Sequence, residues 1–465
     1  MRILVEELDK LLKENKDKTG VVHDTGRIKG VLPFNSSKRT TVMRDRYDKV
    51  LGEFTRIISN VQLPELDDEA EIEYEEINPI ASKVSDEVEC DNEDIRLDLN
   101  LFLNSYLFSE DNEFKSIHPY IFNYTPLSKQ KPKRSEEERI ARFMINALID
   151  DITNFQSLFF DKQGEDILTT LVLDNLGELK ERKTENIKYK SLLPILIDMF
   201  KEDFDFLSKR RDYFMEQYPL LVKYYYFLYI SQLALKFHKY ETADYEKVDP
   251  SYFALDWETG VNKRRKAVSV GGYKTLRERS KELFIHIHVM SHLSYNSKNE
   301  DEFLTYVDIL GELKTADEKR QFIGSLNNWI KIYHEKAKLN LPLKDITTLS
   351  EGFSQLFKCL EQGMNKQVYE RYGESIEDPA IKSFLKHRGS HGYTLNITQE
   401  LLLLLTAISV KDQRIPLKKL FEEFEKRGIA LDRYSMKEVT DLLDSLNLIE
   451  KKSDSGDAQY VKPIL

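Results

Sequence analysis

Cysteine is almost missing from this chain: Cys90 and Cys359 are the two it has in 465 residues. Two thiols make no disulfide framework, and their spacing fits no zinc site, so a reducing cytoplasm is the expected compartment. Glycine (18) and proline (13) are sparse while 32% of residues are charged, which favours a mainly helical protein over a turn-rich β fold. Met1-Arg2-Ile3-Leu4-Val5-Glu6-Glu7 carries charge from its second residue and lacks the apolar run of a signal peptide. Excess positive charge is missing too. The formal net charge of −11 excludes a generic nucleic-acid binder, and any nucleic-acid surface must be a local basic patch. The apolar stretch Pro219 to Phe237 is broken by Lys223, Gln232 and Lys236. Lipid interiors reject lysine, so a core helix is expected there and no membrane partner.

Catalytic signatures are missing as well. A phosphate-binding loop needs Gly, four residues, then Gly-Lys-Ser/Thr, because backbone donors and a lysine must wrap the phosphates. The string Asn35-Ser36-Ser37-Lys38-Arg39-Thr40 follows Gly30 without the second glycine. His288 and His292 stand four apart on one helix face and are weak metal candidates. No glutamate follows His288 and no third ligand can be named, so core or interface histidines are expected and no metal. Glu178-Leu179-Lys180 and Glu312-Leu313-Lys314, with Asp174 and Asp308 upstream, have the letters of a nuclease motif. Both lie in helical periodicity, which spreads the groups over one helix instead of across a sheet. No Ser-His-Asp or Cys-His constellation assembles. The expectation is a chain with no catalytic residues and no cofactor.

Composition divides the chain into four parts. Residues 1–62 form an N-terminal unit with helices at Leu4–Lys13 and Asp48–Asn60. Residues 63–98 are dominated by acids and read as a linker or loop. Residues 99–390 read as one helical body, with a capping box at Ser135–Glu138 opening a helix to Asp150. Further helices are expected at 152–160, 165–181, 192–208, 219–238, 275–296, 300–312, 317–337, 347–363 and 378–386.

Residues 396–465 read as a winged helix-turn-helix. An apolar helix runs from Thr398 to Val410. An amphipathic one runs from Pro416 to Arg427 and stops at Gly428. A third opens at Ser435 with Glu438 three residues on. Leu448–Lys452 and Gln459–Lys462 read as two strands around a Ser-Asp-Gly turn. Such modules bind duplex DNA or another protein. The exposed face of the third helix would hold Glu438, Asp441 and Asp444, which oppose phosphate. Candidate DNA contacts are therefore Lys418, Lys419, Arg433, Lys451 and Lys452 around it. A second cluster, Lys263, Arg264, Arg265, Lys266, Lys274 and Arg277, surrounds Gly271-Gly272 and suits a phosphate backbone.

The segment Leu446–Lys462, with Lys29-Gly30-Val31-Leu32-Pro33-Phe34 and Tyr252-Phe253-Ala254-Leu255-Asp256-Trp257-Glu258, resembles the DNA phosphorothioation-dependent restriction protein DptG (DndG) family. The resemblance spans most of the chain but includes no catalytic signature. It implies a bacterial defence role in a complex with DptF-like and DptH-like ATPase subunits, which restricts DNA lacking the modification. On that reading this chain is the non-enzymatic adaptor, and duplex DNA is a possible further partner. The alternatives are a winged-helix transcription regulator and a divalent-metal nuclease subunit built on Asp174 and Asp308.

Overall fold

Apolar residues at helical spacing set the architecture, which is mainly α. The computed structural model describes residues 1–14, 21–63, 79–107, 117–164, 166–176, 178–182, 189–258, 265–299, 301–451 and 459–465. In chain order these residues form α1 (Val5–Leu11), β1 (Lys13–Glu14), β2 (Val21–Val22), α2 (Val42–Asp45), α3 (Tyr47–Ile58) and β3 (Val61–Gln62). Next come α4 (Pro79–Glu87), α5 (Glu93–Leu107), α6 (Lys131–Leu148), α7 (Thr153–Phe160), α8 (Ile167–Asp174), β4 (Lys180–Glu181), α9 (Pro194–Ser208) and α10 (Arg211–Phe237). They are followed by β5 (Ser251–Tyr252), β6 (Ala254–Leu255), α11 (Tyr273–Ser294), α12 (Tyr306–Glu312), α13 (Ala316–Lys336), α14 (Leu349–Gly363), α15 (Lys366–Glu374), β7 (Leu385–His387) and β8 (Tyr393–Ile397). The chain closes with α16 (Gln399–Val410), β9 (Ile415–Pro416), α17 (Leu417–Lys426), β10 (Ile429–Ala430), α18 (Arg433–Ser445), β11 (Ile449–Lys451) and β12 (Gln459–Val461). Among the described residues, no helix is long and apolar enough to cross a membrane.

Two compact units emerge. One gathers Met1–Arg44, Lys188–Met199 and Tyr224–Leu465; the other gathers Asp45–Ile187 and Phe200–Lys223. These borders differ from the compositional ones at 62, 98 and 390. Composition marks where the chain is polar, but a unit is defined by which apolar faces meet, and here segments far apart in sequence meet.

In the second unit, α3 packs on α6 and buries Val50, Leu51, Phe54 and Ile58. A cluster of rings from Phe155, Phe204, Phe214 and Tyr218 lies beside it, with centroids 4.8 to 6.1 Å apart. Arg56 is fully enclosed, held by Glu53 and by the carbonyls of Asn123 and Thr125. Part of the acidic stretch is ordered structure: α4 and the start of α5 fall within 63–98. Ala81 and Val84, three apart on α4, are buried with Leu103, Leu107 and Ile121. Residues 64–78, the most acidic part, lie outside the described residues. The helix after Lys129 starts at Lys131, one turn before Ser135, because Pro132 suits the first turn and Gln130 already sits in extended backbone.

In the first unit α11 is the central helix, packed on α14 and α15, and α13 packs on α14. Three reciprocal capping boxes fix helix starts here: Thr305 with Asp308, Thr315 with Glu318, and Thr348 with Glu351. The first of these sets α12 at Tyr306, later than the expected 300. Residues 378–386 are not a helix. The chain turns there and enters β7, which pairs antiparallel with β8 (Leu385 opposite Leu395).

The C-terminal segment runs helix, strand, helix, strand, helix, hairpin. β12 pairs antiparallel with both β11 (Glu450 opposite Tyr460) and β9 (Val461 opposite Ile415), giving a three-stranded sheet. Two short parallel pairings join this segment to residues 251–255: Ile429 opposite Ser251, and Ala254 opposite Asn396. The expected hairpin turn, Ser453–Asp457, falls outside the described residues. α18 is capped by Asp432, whose carboxylate accepts from the Tyr434 and Ser435 N–H groups, so Ser435 sits inside the first turn instead of capping it. Gly428 ends α17 with φ +84, and a Cβ there would meet Leu228 Cδ1 at 2.5 Å. Gly428→Ala therefore combines backbone strain with overpacking. It is expected to cost about 2 kcal/mol, measured as a lower urea midpoint with an unchanged slope.

Candidate interaction site around the C-terminal segment

The Glu258 carboxylate is the centre of a buried network that anchors α18. Arg265 Nη2 donates to Glu258 Oε1 at 2.7 Å and to Ser435 Oγ at 2.7 Å, and its Nε donates to Asp432 Oδ2 at 2.5 Å. Ser435 Oγ donates to Glu258 Oε1 at 2.9 Å, and the Leu255 N–H donates to Glu258 Oε2 at 2.9 Å. Arg388 closes the far side, donating to the carbonyls of Leu255 and Glu258. Burial works against the charge of Arg265, but its hydrogen bonds to Asp432 and Glu258 outweigh it and raise its pKa. Burial also opposes ionisation of Asp432. The Arg265 guanidinium and the Ser435 N–H overcome that and hold its carboxyl below the usual range.

This geometry removes Arg265 from the list of phosphate contacts. It is 8% exposed and its fork is filled by carboxylates. Lys266 donates to the Tyr252 hydroxyl at 2.8 Å and lies over its ring, and Arg277 pairs with Glu377 at 3.4 Å. Lys419 pairs with Glu422 and Glu423, each at 3.4 Å, and Lys451 with Asp444 at 3.0 Å. Arg433 stacks on the exposed Tyr434 ring. Lys274 and Lys418 are exposed and make no ion pair among the described residues. Lys263, Arg264 and Lys452 lie outside the described residues. The α18 face carries Glu438, Asp441 and Asp444 to solvent, with Lys437 spent on Asp441 at 3.8 Å. Most of the described cations in this segment are thus matched by carboxylates of their own chain.

No protein-family model and no curated protein matches this chain.

The weak metal pair is core. His288 and His292 are 3% and 2% exposed. His292 Nδ1 accepts from Trp329 Nε1 at 3.3 Å, while His288 packs against the rings of Phe284 and His23. Burial pushes the His288 pKa down to about 3. The first nuclease string does not lie on one helix as expected, and the second is taken up by a helix cap. Asp174 ends α8 and Lys180 lies in a strand, while Asp308 is spent on the cap of α12. A different set, His238, Glu282 and His286, comes together as a three-ligand group. Sequence reading passed over it because His238 is remote from the other two. Sequence reading also missed the outward apolar residues of α5: Ile95, Leu97, Leu101 and Phe102 are 46–59% exposed. Their spacing was the available signal, hidden by the acids just upstream.

Proposed function

We propose that this chain is a non-enzymatic adaptor of a bacterial phosphorothioation-dependent DNA restriction complex, and that residues 396–465 are a winged helix-turn-helix used mainly for docking. The observation that carries the reading is the C-terminal order of three helices, with short strands between them, and a hairpin whose last strand also pairs with β9. Its outward helix is acidic and its cations are largely self-paired. That surface repels a phosphate backbone and suits a protein partner with basic groups. The family resemblance supplies the identity of the partners, DptF-like and DptH-like ATPase subunits. The stretch Tyr252–Glu258, part of that resemblance, is the one that β5, β6 and Glu258 use to hold the C-terminal segment. The exposed apolar residues of α5 offer a second docking face for an ATPase subunit.

The test is co-expression of the full chain with the two ATPase subunits. A stable complex is expected, and Leu97→Glu with Leu101→Glu should lower its recovery about tenfold while the helical circular dichroism is kept, a loss of ~1.4 kcal/mol. A free monomer that binds neither subunit, in cells whose restriction does not need it, overturns the proposal. Tight, sequence-selective binding of a short duplex by the full chain would instead support a transcription regulator.

A further inference from the structure

α11 carries Glu282 and His286 one turn apart, so both side chains project from the same face. His238, just after the last turn of α10, faces them. Its Nδ1 lies 2.8 Å from Glu282 Oε2. One donor atom from each of the three residues falls within 4.8 Å of the others. A tetrahedral zinc ion with bonds of about 2.0–2.1 Å draws its donors to roughly 3.3 Å of each other, a change within reach of side-chain rotation.

Two further observations point to a ligand. His286 is 1% exposed, and its Nε2 is buried with no hydrogen-bond partner among the described residues. An orphaned imidazole nitrogen in a closed site is costly unless something fills its lone pair or takes its proton. Its other nitrogen, Nδ1, is 2.9 Å from the Tyr306 hydroxyl. With Nδ1–H donating to that oxygen, the Nε2 lone pair is left free, which is how an outer partner usually prepares a metal-binding histidine. The ring is held in place by Phe357 and Tyr240, at 4.6 and 5.0 Å between centroids.

The second observation is a conflict at His238. Arg279 Nη1 lies 3.2 Å from the same Nδ1 that faces Glu282, and 3.9 Å from the Glu282 carboxylate. One nitrogen cannot donate to the carboxylate and accept from the guanidinium together. The position between His238 and Glu282 calls for a cation, and Arg279, one-third exposed and on the outer side, supplies one from outside the ligand set.

We propose that His238, Glu282 and His286 bind a divalent first-row transition ion of the zinc class, with Arg279 swinging outward and a water completing the tetrahedron. Two imidazoles and one carboxylate are borderline to hard donors, which suits zinc or cobalt(II) better than calcium or magnesium. The ion joins the end of α10 to α11. This proposal does not depend on the adaptor reading.

The experiment uses the full chain, stripped with chelator and titrated with Co²⁺, then with Zn²⁺ in competition. One site with the visible spectrum of tetrahedral cobalt is expected, and zinc should displace it and raise the thermal midpoint. Glu282→Gln and His238→Gln, both at half-buried positions, should weaken cobalt at least ~100-fold, and His286→Leu should abolish the spectrum. Arg279→Gln should tighten binding roughly tenfold, by removing the competing cation. A spectrum that survives Glu282→Gln and His238→Gln, or a stripped wild-type chain that takes up cobalt only as scattered weak binding, overturns the proposal. If His286→Leu fails to fold, the two half-buried variants decide alone.

Discussion

Arg265→Ala is expected to destabilise the chain by about 3–5 kcal/mol, the range for breaking a buried ion pair by removing one partner. The reason is what it leaves behind. Glu258 is 7% exposed, and without the guanidinium its Oε1 retains only the Ser435 hydroxyl. Asp432 loses its 2.5 Å partner while still capping α18. Two carboxylates, one buried and one 12% exposed, then lose the cation they share. Arg265→Lys keeps the charge but not the fork that reaches Glu258, Asp432 and Ser435 at once, so it should recover only part of the loss. Glu258→Gln with Arg265→Met removes both charges and should cost less than the sum of the single changes by ~1–3 kcal/mol. Urea unfolding of the wild type, Glu258→Gln, Arg265→Met and the double variant measures this. Strictly additive single effects would mean that the contact contributes no coupling. A second consequence separates anchoring from DNA contact. If Arg265 held phosphate, its loss would lower the salt slope of DNA binding by about one and leave stability nearly unchanged.

The same network shows what the sequence can and cannot disclose. The helices α7, α9, α11, α13 and α14 lie close to where apolar spacing places them, and capping boxes at Thr315 and Thr348 fix the starts of α13 and α14. The three C-terminal helices and the closing hairpin were visible from their own apolar patterns, but the two-residue strands β9 and β10 between those helices were not. The pairing partners were not visible. β5 and β6 are two-residue strands, too short for any alternation, and their pairing partners, Ile429–Ala430 and Asn396–Ile397, lie far down the chain. Arg265 stood in a run of four cations and looked like its neighbours. Only the fold shows that one of the four turns inward to Glu258. The Glu282–His286 spacing was on the page, but its third member, His238, is brought in by helix packing. Likewise α4 was hidden because Ala81 and Val84 are a weak apolar signal among many acids.

Lowering the pH from 7 to 5 is expected to remove several kcal/mol of stability, through histidines kept neutral by the fold. Burial lowers the pKa of His23 to about 4, and burial aided by the nearby Arg211 charge lowers His118 to about 4. Burial drives His292 well below its ordinary value, with His288 and His23 adding repulsion. Each is committed to a neutral role. His118 Nδ1 accepts from the Tyr120 N–H, His292 Nδ1 accepts from Trp329, and His23 Nε2 meets the Tyr333 hydroxyl at 2.6 Å. Above pH 6.5 these rings are neutral in both folded and unfolded chains, and their contribution is fully present. Between 6.5 and about 4 the unfolded chain takes up the proton and the folded chain does not, so stability falls as pH falls. The slope is about 1.4 kcal/mol per pH unit for each histidine, which gives roughly 2 kcal/mol each by pH 5. Three such groups together approach the whole stability of a typical domain. His118 belongs to the unit beginning at Asp45, and His23 and His292 belong to the other. Burial also lowers His286 and His288, which lie in that other unit, so the pH dependence should be steeper there. Carboxylates do not account for the drop, because one held low, such as Glu318 at about 2, loses its contribution only below its ordinary 4.5. Urea midpoints at pH 7, 6 and 5 measure the fall, and His118→Gln should flatten it for its own unit, since glutamine accepts at that position without titrating. Midpoints that stay level from pH 7 to 5 would show that these rings take up protons in the folded chain as readily as in the unfolded one.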